Sequence, residues 1–170
     1  MNTRVPRDEL DNRMKRFRVQ MDTIHPDWEI ATVFSKVNLY YFCGTIQDGM
    51  LLIPRDGEAC LWVKRSYERA MDESLFPQIK PMRSYRDAVQ SIPSIPDTVY
   101  LETEQVPLAL FSRLRKYFPF KYVRAVDKQI LQIRSVKSPY ERGLMERAGE
   151  IHRIVLEELV PGALTEGISE

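Results

Sequence analysis

The side chains that most often carry enzyme chemistry are few and scattered in this sequence. Its 170 residues include two histidines, His25 and His152. Metal-assisted hydrolysis needs several His, Asp, Glu or Cys ligands that converge on one ion, and neither His-Glu-x-x-His nor Cys-x-x-Cys occurs. His25 precedes a proline at a predicted helix end, and His152 lies near the apolar stripe of another helix, so a structural role is favoured for both. We predict no metal ligand in this chain.

Signatures of nucleophilic and phosphate chemistry are also missing from the sequence. It contains no Gly-x-Gly-x-x-Gly, no Walker loop and no Gly-x-Ser-x-Gly, the local patterns that cradle phosphates or present a catalytic serine. The carboxylates of Asp8, Glu9 and Asp11 cluster near the start of a predicted helix, where negative charge complements the helix dipole. We therefore predict no catalytic residue in this chain.

The charges almost balance, with 25 Lys and Arg against 24 Asp and Glu and a net charge of +1. No bulk field attracts nucleic acid or an anionic bilayer, so we predict neither as a partner. One basic cluster interleaves with Met14 and Phe17 at helical spacing and consists of Arg13, Lys15, Arg16 and Arg18. This spacing predicts a solvated helix face.

Two cysteines, Cys43 and Cys60, are too few for a disulfide framework. Both lie in or beside predicted strands, which favours buried free thiols and a reducing compartment. The first ten residues lack the apolar core of a signal peptide, and the longest apolar runs are far too short to span a bilayer. We therefore predict a cytoplasmic protein.

The most suggestive surface element is the aromatic-rich segment Asn38–Gly44, whose sequence is Asn-Leu-Tyr-Tyr-Phe-Cys-Gly. We predict that it forms a turn just beyond the end of a strand, where open α/β sheets place ligands. Core packing is the competing and favoured interpretation, because aromatic residues fill cores more often than they line sites.

Strands and helices that would position this segment alternate along the chain. Leu10, Met14, Phe17, Met21 and Ile24 share one helical stripe and predict an amphipathic helix from Arg7, which ends at His25-Pro26-Asp27. Apolar runs predict strands over residues 28–34, 50–53, 59–63, 79–82, 98–101 and 122–126, with helices from 66, 85 and 106. The Asp56-Gly57 turn joins two of these strands in an antiparallel hairpin. We expect a mixed sheet with helices on both faces.

A helix start of a different kind follows at Ser138-Pro139-Tyr140-Glu141. The Ser138 hydroxyl can accept from the Glu141 N–H while the Glu141 carboxylate reaches back, and Pro139 needs no N–H at that position. The apolar face of this helix comprises Leu144, Ala148, Ile151, Val155 and Leu159. Such a face needs a layer to cover it. We expect a first domain over 1–126, a linker over 127–137 and the first helix of a truncated second domain over 138–170. A further helix is expected to begin near residue 165. The alternative is a complete chain whose last helix packs on its own domain.

Three segments resemble the N-terminal region of the creatinase, prolidase and aminopeptidase P family, whose catalytic domain has the pita-bread fold. They are Asn38–Gly44 followed by Met50–Ile53, then Tyr67–Ala70, then Arg134–Glu141. The last matches the family's Arg-x-x-Lys-Ser-x-x-Glu junction into the catalytic domain, and Pro161–Glu166 resembles the turn after its first helix with one extra residue. Cys43 stands where the family usually has Ser or Thr, and Thr45 where an aromatic is common.

This resemblance implies a ribonuclease H-like three-layer α/β/α domain with a mixed five-stranded sheet. It also implies that two divalent metals, commonly manganese, cobalt or zinc, are held by two Asp, one His and two Glu beyond residue 170. The N-terminal domains of the family contribute to homodimer formation and shape the substrate cleft. On this basis Tyr40, Tyr41 and Gln47 are candidates for a lip on the substrate side.

The leading hypothesis is thus the substrate-shaping and dimerisation domain of an Xaa-Pro dipeptidase or Xaa-Pro aminopeptidase that acts on proline-containing peptides. The chain alone would be inactive. A creatinase-like amidinohydrolase is an alternative within the same fold. A metal-free module that binds peptides or histones is an alternative from a different class.

Overall fold

A mixed six-stranded β-sheet organises the first of two compact units, Met1–Ile133 and Arg134–Glu170. The computed structural model describes residues 4–164 and Gly167. The strands are β1 (Ile30–Val33), β2 (Gly49–Pro54), β3 (Cys60–Val63), β4 (Ile79–Pro81), β5 (Thr98–Leu101) and β6 (Tyr122–Ala125). Their order across the sheet is β4-β3-β2-β1-β5-β6.

Strand pairing follows the predicted mixture of directions. The pairs β1–β2 and β2–β3 are antiparallel, whereas β1–β5, β3–β4 and β5–β6 are parallel. The predicted hairpin is therefore confirmed, and Gly57 in its turn has a φ of 97°, a conformation that glycine adopts without strain. The sheet has six strands, where the family resemblance implied five, and its edge strand β4 has only three residues.

Helices form the two layers on either side of this sheet, as the predicted three-layer α/β/α class requires. They are α1 (Arg7–Ile24), α2 (Lys36–Cys43), α3 (Tyr67–Glu73), α4 (Tyr85–Val89), α5 (Leu108–Arg115) and α6 (Asp127–Ser135). Helix α6 occupies most of residues 127–137, for which the sequence predicts a linker. Ile130 and Ile133 are buried at helical spacing, which gives this segment an apolar side to pack.

The core on the α4 and α5 side of the sheet is apolar and aromatic. It combines sheet residues with helix residues and contains Ile30, Met50, Leu52, Trp62, Met82, Tyr85, Ala88, Val99, Leu101, Leu114, Phe118 and Phe120. Leu51 and Ile53 alternate with Met50 and Leu52 along β2 and are also fully buried. Both faces of the sheet are therefore covered, as continuous apolar runs predict.

Helix α1 buries four of the five residues of its predicted stripe. Leu10, Met14, Phe17 and Met21 are buried, whereas Ile24 in the last turn is 44% exposed. The Phe17 ring meets two other aromatic rings edge to face, with centroid distances of 6.0 Å to Trp28 and 5.4 Å to Phe42. Aromatic packing therefore fixes α1 against α2 and the start of β1.

The prediction that the basic cluster of α1 forms a solvated face is wrong for Arg13, which is only 4% exposed. Its Nε donates to Glu9 Oε1 at 2.7 Å, and its guanidinium donates to the Tyr41 carbonyl at 2.8 Å. The same guanidinium lies 4.5 Å from the centroid of the Tyr41 ring. A carboxylate one helical turn away makes this burial possible, because a buried charge needs a partner. Glu9, interpreted from the sequence as a helix-dipole residue, is that partner.

In the second unit, helix α7 spans Pro139–Ile154 and begins with the predicted capping box. Ser138 Oγ accepts from the Glu141 N–H at 3.1 Å, and Glu141 Oε2 accepts from the Ser138 N–H at 3.0 Å. A π-helical stretch, Val155–Leu159, and a last helical turn, Val160–Ala163, continue α7.

The apolar face predicted for this helix is exposed in the structure. Leu144 is 47% exposed, Ile151 59% and Leu159 60%. The helix start predicted near residue 165 lies outside the described residues, apart from Gly167. Across the described part of the chain, no helix combines the length and hydropathy needed to cross a membrane.

Candidate functional site

The aromatic segment Asn38–Gly44, predicted as a turn, forms most of helix α2. A buried carboxylate explains why a helix begins here. Glu102 Oε2 accepts from the Phe34 N–H at 2.5 Å and from the Ser35 N–H at 2.9 Å, beside the first turn of α2. The Ser35 side chain makes no capping hydrogen bond, and this carboxylate instead fixes the backbone just before the helix.

Helix α2 ends at Gly44, which has a φ of 73° and donates its N–H to the Tyr40 carbonyl at 2.8 Å. A left-handed residue at this position turns the chain sharply away from the helix axis, and glycine adopts it at little cost. The following residues, Thr45 to Gln47, therefore fold back beside helix α3.

The three candidate lip residues occupy different environments. Tyr40 is 44% exposed, whereas Tyr41 is 5% exposed, because neighbouring residues of a helix face different directions. The Tyr41 hydroxyl points into the unit and donates to the Ile133 carbonyl at 3.4 Å. Gln47 is partly buried, and its Nε2 donates to Glu73 Oε2 at 3.1 Å.

Tyr40 borders an open cleft of about 440 Å³ between α2, the loop after it, and α3. The cleft is lined by Arg4, Tyr40, Gly44, Thr45, Ile46, Asp72 and Glu73. Tyr40 and Ile46 give it an exposed apolar side, and Ile46 is 51% exposed. Asp72 and Glu73 give it an acidic side. We call it the α2–α3 cleft.

Glu73 holds the α2–α3 cleft in shape. Its Oε2 also accepts from Thr45 Oγ1 at 2.8 Å, and its Oε1 accepts from Arg69 Nε at 2.5 Å. Hydrogen bonds from Gln47, Thr45 and Arg69 lower the pKa of the Glu73 carboxyl, with Gln47 contributing most, while burial opposes them. Glu73 is therefore ionised at neutral pH and fixes the loop after α2 to α3.

Of the three candidate lip residues, Tyr40 lines this cleft and Gln47 bonds to its Glu73, whereas Glu73, Thr45 and Asp72 were not predicted as candidates. One signal was present for Glu73, because Arg69 and Glu73 are four residues apart, the spacing of a helical ion pair. Nothing in the sequence indicates that Thr45 meets Glu73, since 28 residues separate them.

Other ionisable groups of the first unit have structural surroundings. The His25 ring packs 4.8 Å from the Tyr100 ring, and its Nε2 lies 3.1 Å from Gln129 Nε2. Cys43 is buried, as predicted, whereas Cys60 is only partly buried, and burial raises its pKa to about 11. Thiols with such a pKa are poor nucleophiles at neutral pH.

Cys60 contributes to a second cleft, of about 420 Å³, which is lined in part by residues of the β2–β3 hairpin. Ile30 and Leu52 form part of its apolar floor, while Asp56 and Lys80 lie at its edge. Among residues 4–164 and Gly167, no group of three or more His, Cys, Asp or Glu side chains is placed to hold a metal ion.

A three-layer α/β/α domain with a mixed sheet is the class of fold that carries the α2–α3 cleft. The Creatinase/Prolidase N-terminal domain family matches residues 13–136 of this sequence. The chain belongs to this family. A comparison with curated proteins found no significant match.

Solved structures with the same fold include prolidases and Xaa-Pro dipeptidases. The prolidase from Pyrococcus horikoshii is 25% identical with a TM-score of 0.77, over 94% of this chain and 45% of its own. The Xaa-Pro dipeptidase from Bacillus anthracis is 14% identical with a TM-score of 0.76, over 95% of this chain and 45% of its own. This chain thus spans less than half the length of these two proteins.

A third similar structure is the Creatinase/Prolidase N-terminal domain of an X-Pro dipeptidase from Streptococcus pyogenes. It is 17% identical with a TM-score of 0.59, over 71% of this chain and 98% of its own. At this identity the likeness concerns the fold.

Proposed function

We propose that this chain is the substrate-shaping domain of a metal-dependent Xaa-Pro dipeptidase or Xaa-Pro aminopeptidase and does not itself catalyse hydrolysis. Its membership of the Creatinase/Prolidase N-terminal domain family carries the proposal. The likeness to the Pyrococcus horikoshii prolidase over 94% of the chain supports it.

In this proposal the α2–α3 cleft is the lip that contacts a proline-containing peptide. Tyr40 and Ile46 offer exposed apolar surface to a proline ring, and the ring of Tyr40 has the flat shape that packs well on it. Glu73 keeps the loop that carries Ile46 in place through Thr45 and Gln47. Tyr41 supports the lip from within the core, so it contributes to its shape without contacting substrate.

The hydrolytic step belongs to residues outside those described. Two divalent ions, manganese, cobalt or zinc, would activate water and polarise the scissile carbonyl in the whole enzyme. The described residues contain no cluster of three or more metal-ligating side chains, so they do not fit such a centre. The role proposed for this domain is confined to binding, shaping the cleft and forming a homodimer.

The decisive experiment compares the full-length gene product with this chain on an Xaa-Pro dipeptide and on a longer Xaa-Pro peptide, with added manganese. We expect activity from the full-length protein and none from the chain alone. An inactive full-length protein would contradict the proposal. Activity on creatine instead would favour the amidinohydrolase alternative, and tight peptide binding without hydrolysis would favour the binding module.

The lip itself is tested by Tyr40→Ala in the full-length protein. We expect KM to rise about tenfold with little change in kcat, because the lost contact binds substrate and transition state alike. Tyr122→Ala is the matched control, since Tyr122 is also exposed but lies on strand β6. An equal KM effect from both variants would remove the argument for the cleft.

A further inference from the structure

On the other side of the sheet, a basic surface surrounds two tyrosines, one at the start of helix α4 and one just after the end of helix α5. Tyr85, the first residue of α4, is 6% exposed. Lys64 Nζ lies 5.5 Å from the centroid of its ring. Burial raises the pKa of Tyr85, the nearby positive charge of Arg113 partly opposes that rise, and the negative charge of Asp48 adds to it. Lys64 and Arg113 therefore both lie close to Tyr85, although they come from β3's end and from α5.

The second tyrosine extends this surface along α5. The guanidinium of Arg86 and the Nζ of Lys116 each lie 5.9 Å from the centroid of the Tyr117 ring. Arg113 and Lys116 are three residues apart and so share one side of the helix. The cationic surface, as we call it, consists of four exposed side chains, Lys64, Arg86, Arg113 and Lys116.

Neutralising partners for this surface are few. Within the described residues none of the four cations forms a salt bridge, in contrast to Lys121, which pairs with Asp97 at 2.8 Å. The Asp87 carboxylate accepts hydrogen bonds from the N–H groups of Arg83 and Ser84 and also interacts with the positive charge of Arg86, so it offsets part of that charge. The surface thus presents a local concentration of positive charge.

This concentration does not follow from a basic composition. The whole chain carries a net charge of +1. The cationic surface contributes four positive charges, so the rest of the chain has a net charge of −3, from 1 minus 4. A positive field on one side of an otherwise slightly acidic chain orients and attracts an anionic partner.

We propose that the cationic surface is a docking site for an acidic polypeptide segment, separate from the α2–α3 cleft. Two of its four groups are guanidinium forks, which match the geometry of carboxylates. Single-stranded nucleic acid needs open aromatic faces for its bases. Tyr85 is buried and Tyr117 is flanked by two cations, so neither ring offers such a face. The observations therefore favour carboxylates over nucleotides.

The test measures binding of a fluorescently labelled deca-glutamate peptide to the chain by anisotropy, with a labelled single-stranded oligonucleotide and inorganic phosphate as parallel ligands. We expect the peptide to bind at about 20 mM salt and to weaken sharply at about 200 mM salt, as exposed charges are screened. We expect the double variant Arg86→Gln with Arg113→Gln to weaken binding about tenfold.

The matched control is Lys15→Gln with Lys128→Gln, which removes the same two charges from exposed sites on α1 and α6. We expect it to change the affinity less than twofold, with both variants retaining the wild-type circular dichroism spectrum. Four outcomes would each overturn the proposal. The first two are an equal loss of affinity in the test and control variants and tighter binding of the oligonucleotide than of the peptide. The others are competition by phosphate alone at equal charge and no peptide binding at low salt.

Discussion

Asn38 and Glu102 are 64 residues apart in the sequence, yet Asn38 Nδ2 donates to Glu102 Oε1 at 2.5 Å. Glu102 is fully buried and stands directly after β5, while Asn38 lies in the first half of α2. The carboxylate also accepts from the N–H groups of Phe34 and Ser35. One side chain therefore joins the carboxyl ends of β1 and β5 to the helix that carries Tyr40.

Replacing Glu102 by Gln is expected to lower the free energy of unfolding by about 1–3 kcal/mol. The glutamine amide would turn an N–H group toward donors that now point at a carboxylate oxygen, leaving buried groups unpaired. Urea unfolding followed by circular dichroism measures the change. Glu104→Gln, at an exposed site nearby, should cost less than about 0.5 kcal/mol. A smaller loss for Glu102→Gln than for this control would contradict the role of Glu102.

Single replacement of Arg13 by Met is expected to destabilise the protein by about 3–5 kcal/mol, because the buried Glu9 carboxylate loses the positive charge of Arg13. The side chains of Arg13 and Glu9 are only 5% and 9% exposed. The double variant Glu9→Met with Arg13→Met should lose clearly less than the single one, since both buried charges of the pair are removed together. Chemical unfolding of all variants tests this order.

The exposed ion pair of Arg7 and Asp11 provides the comparison for the buried pair of Arg13 and Glu9. Its side chains are 49% and 55% exposed. Arg7→Ala should cost less than about 0.5 kcal/mol. If Arg13→Met were as mild as Arg7→Ala, the buried pair would not be the anchor between α1 and α2 that the geometry indicates.

Substituting Gly49 by Ala is expected to destabilise the sheet by more than about 2 kcal/mol. An added Cβ would lie 2.4 Å from the Trp62 carbonyl oxygen, and this contact is with backbone that cannot rotate away. Thermal unfolding gives the change in Tm. Gly143→Ala is the control, because a Cβ there meets no atom within 4 Å and alanine favours helix α7. An unchanged Tm in Gly49→Ala would contradict this prediction, because it would mean that β2 and β3 can move apart at this position without loss of stability.

The stabilising effect of Glu73 should depend on pH. Hydrogen bonds from Gln47, Thr45 and Arg69 lower its pKa in the folded state, so its contribution is complete above the unfolded value of about 4.3 and is lost as pH falls through the folded value. The difference in Tm between wild type and Glu73→Gln should therefore shrink below about pH 4. Glu68→Gln, on the same helix, serves as the control. A Tm difference that stays constant down to pH 3 would contradict this assignment.

Most of the fold could be predicted from local patterns. Helix α1 and the β2–β3 hairpin follow from apolar spacing and the Asp56-Gly57 turn, and the start of α7 follows from Ser138 and Glu141. These features depend on residues close together in the sequence. The helical form of the aromatic segment was not predicted, because the carboxylate beside its first turn, Glu102, follows the neighbouring strand β5 and lies more than 60 residues away in the sequence.

The candidate site was less predictable for the same reason. Tyr40, Tyr41 and Gln47 were proposed together from the family resemblance, and of these three Tyr40 lines the α2–α3 cleft. Neighbouring residues of a helix face different directions, which buries Tyr41 and exposes Tyr40, and a predicted turn does not imply this difference. Glu73 takes its role from Thr45 and Gln47, which belong to another part of the chain.

The central position of β1 determines the order in which the domain can fold during synthesis. Val33 pairs with Leu51 on one side, but on the other side Ala31 pairs with Tyr100, which leaves the ribosome much later. The β1–β2–β3 meander can form early, because its contacts are local, whereas the opposite edge of β1 must wait for β5. Until then that edge is an apolar strand open to a neighbouring nascent chain, and chaperones would be most needed in this interval.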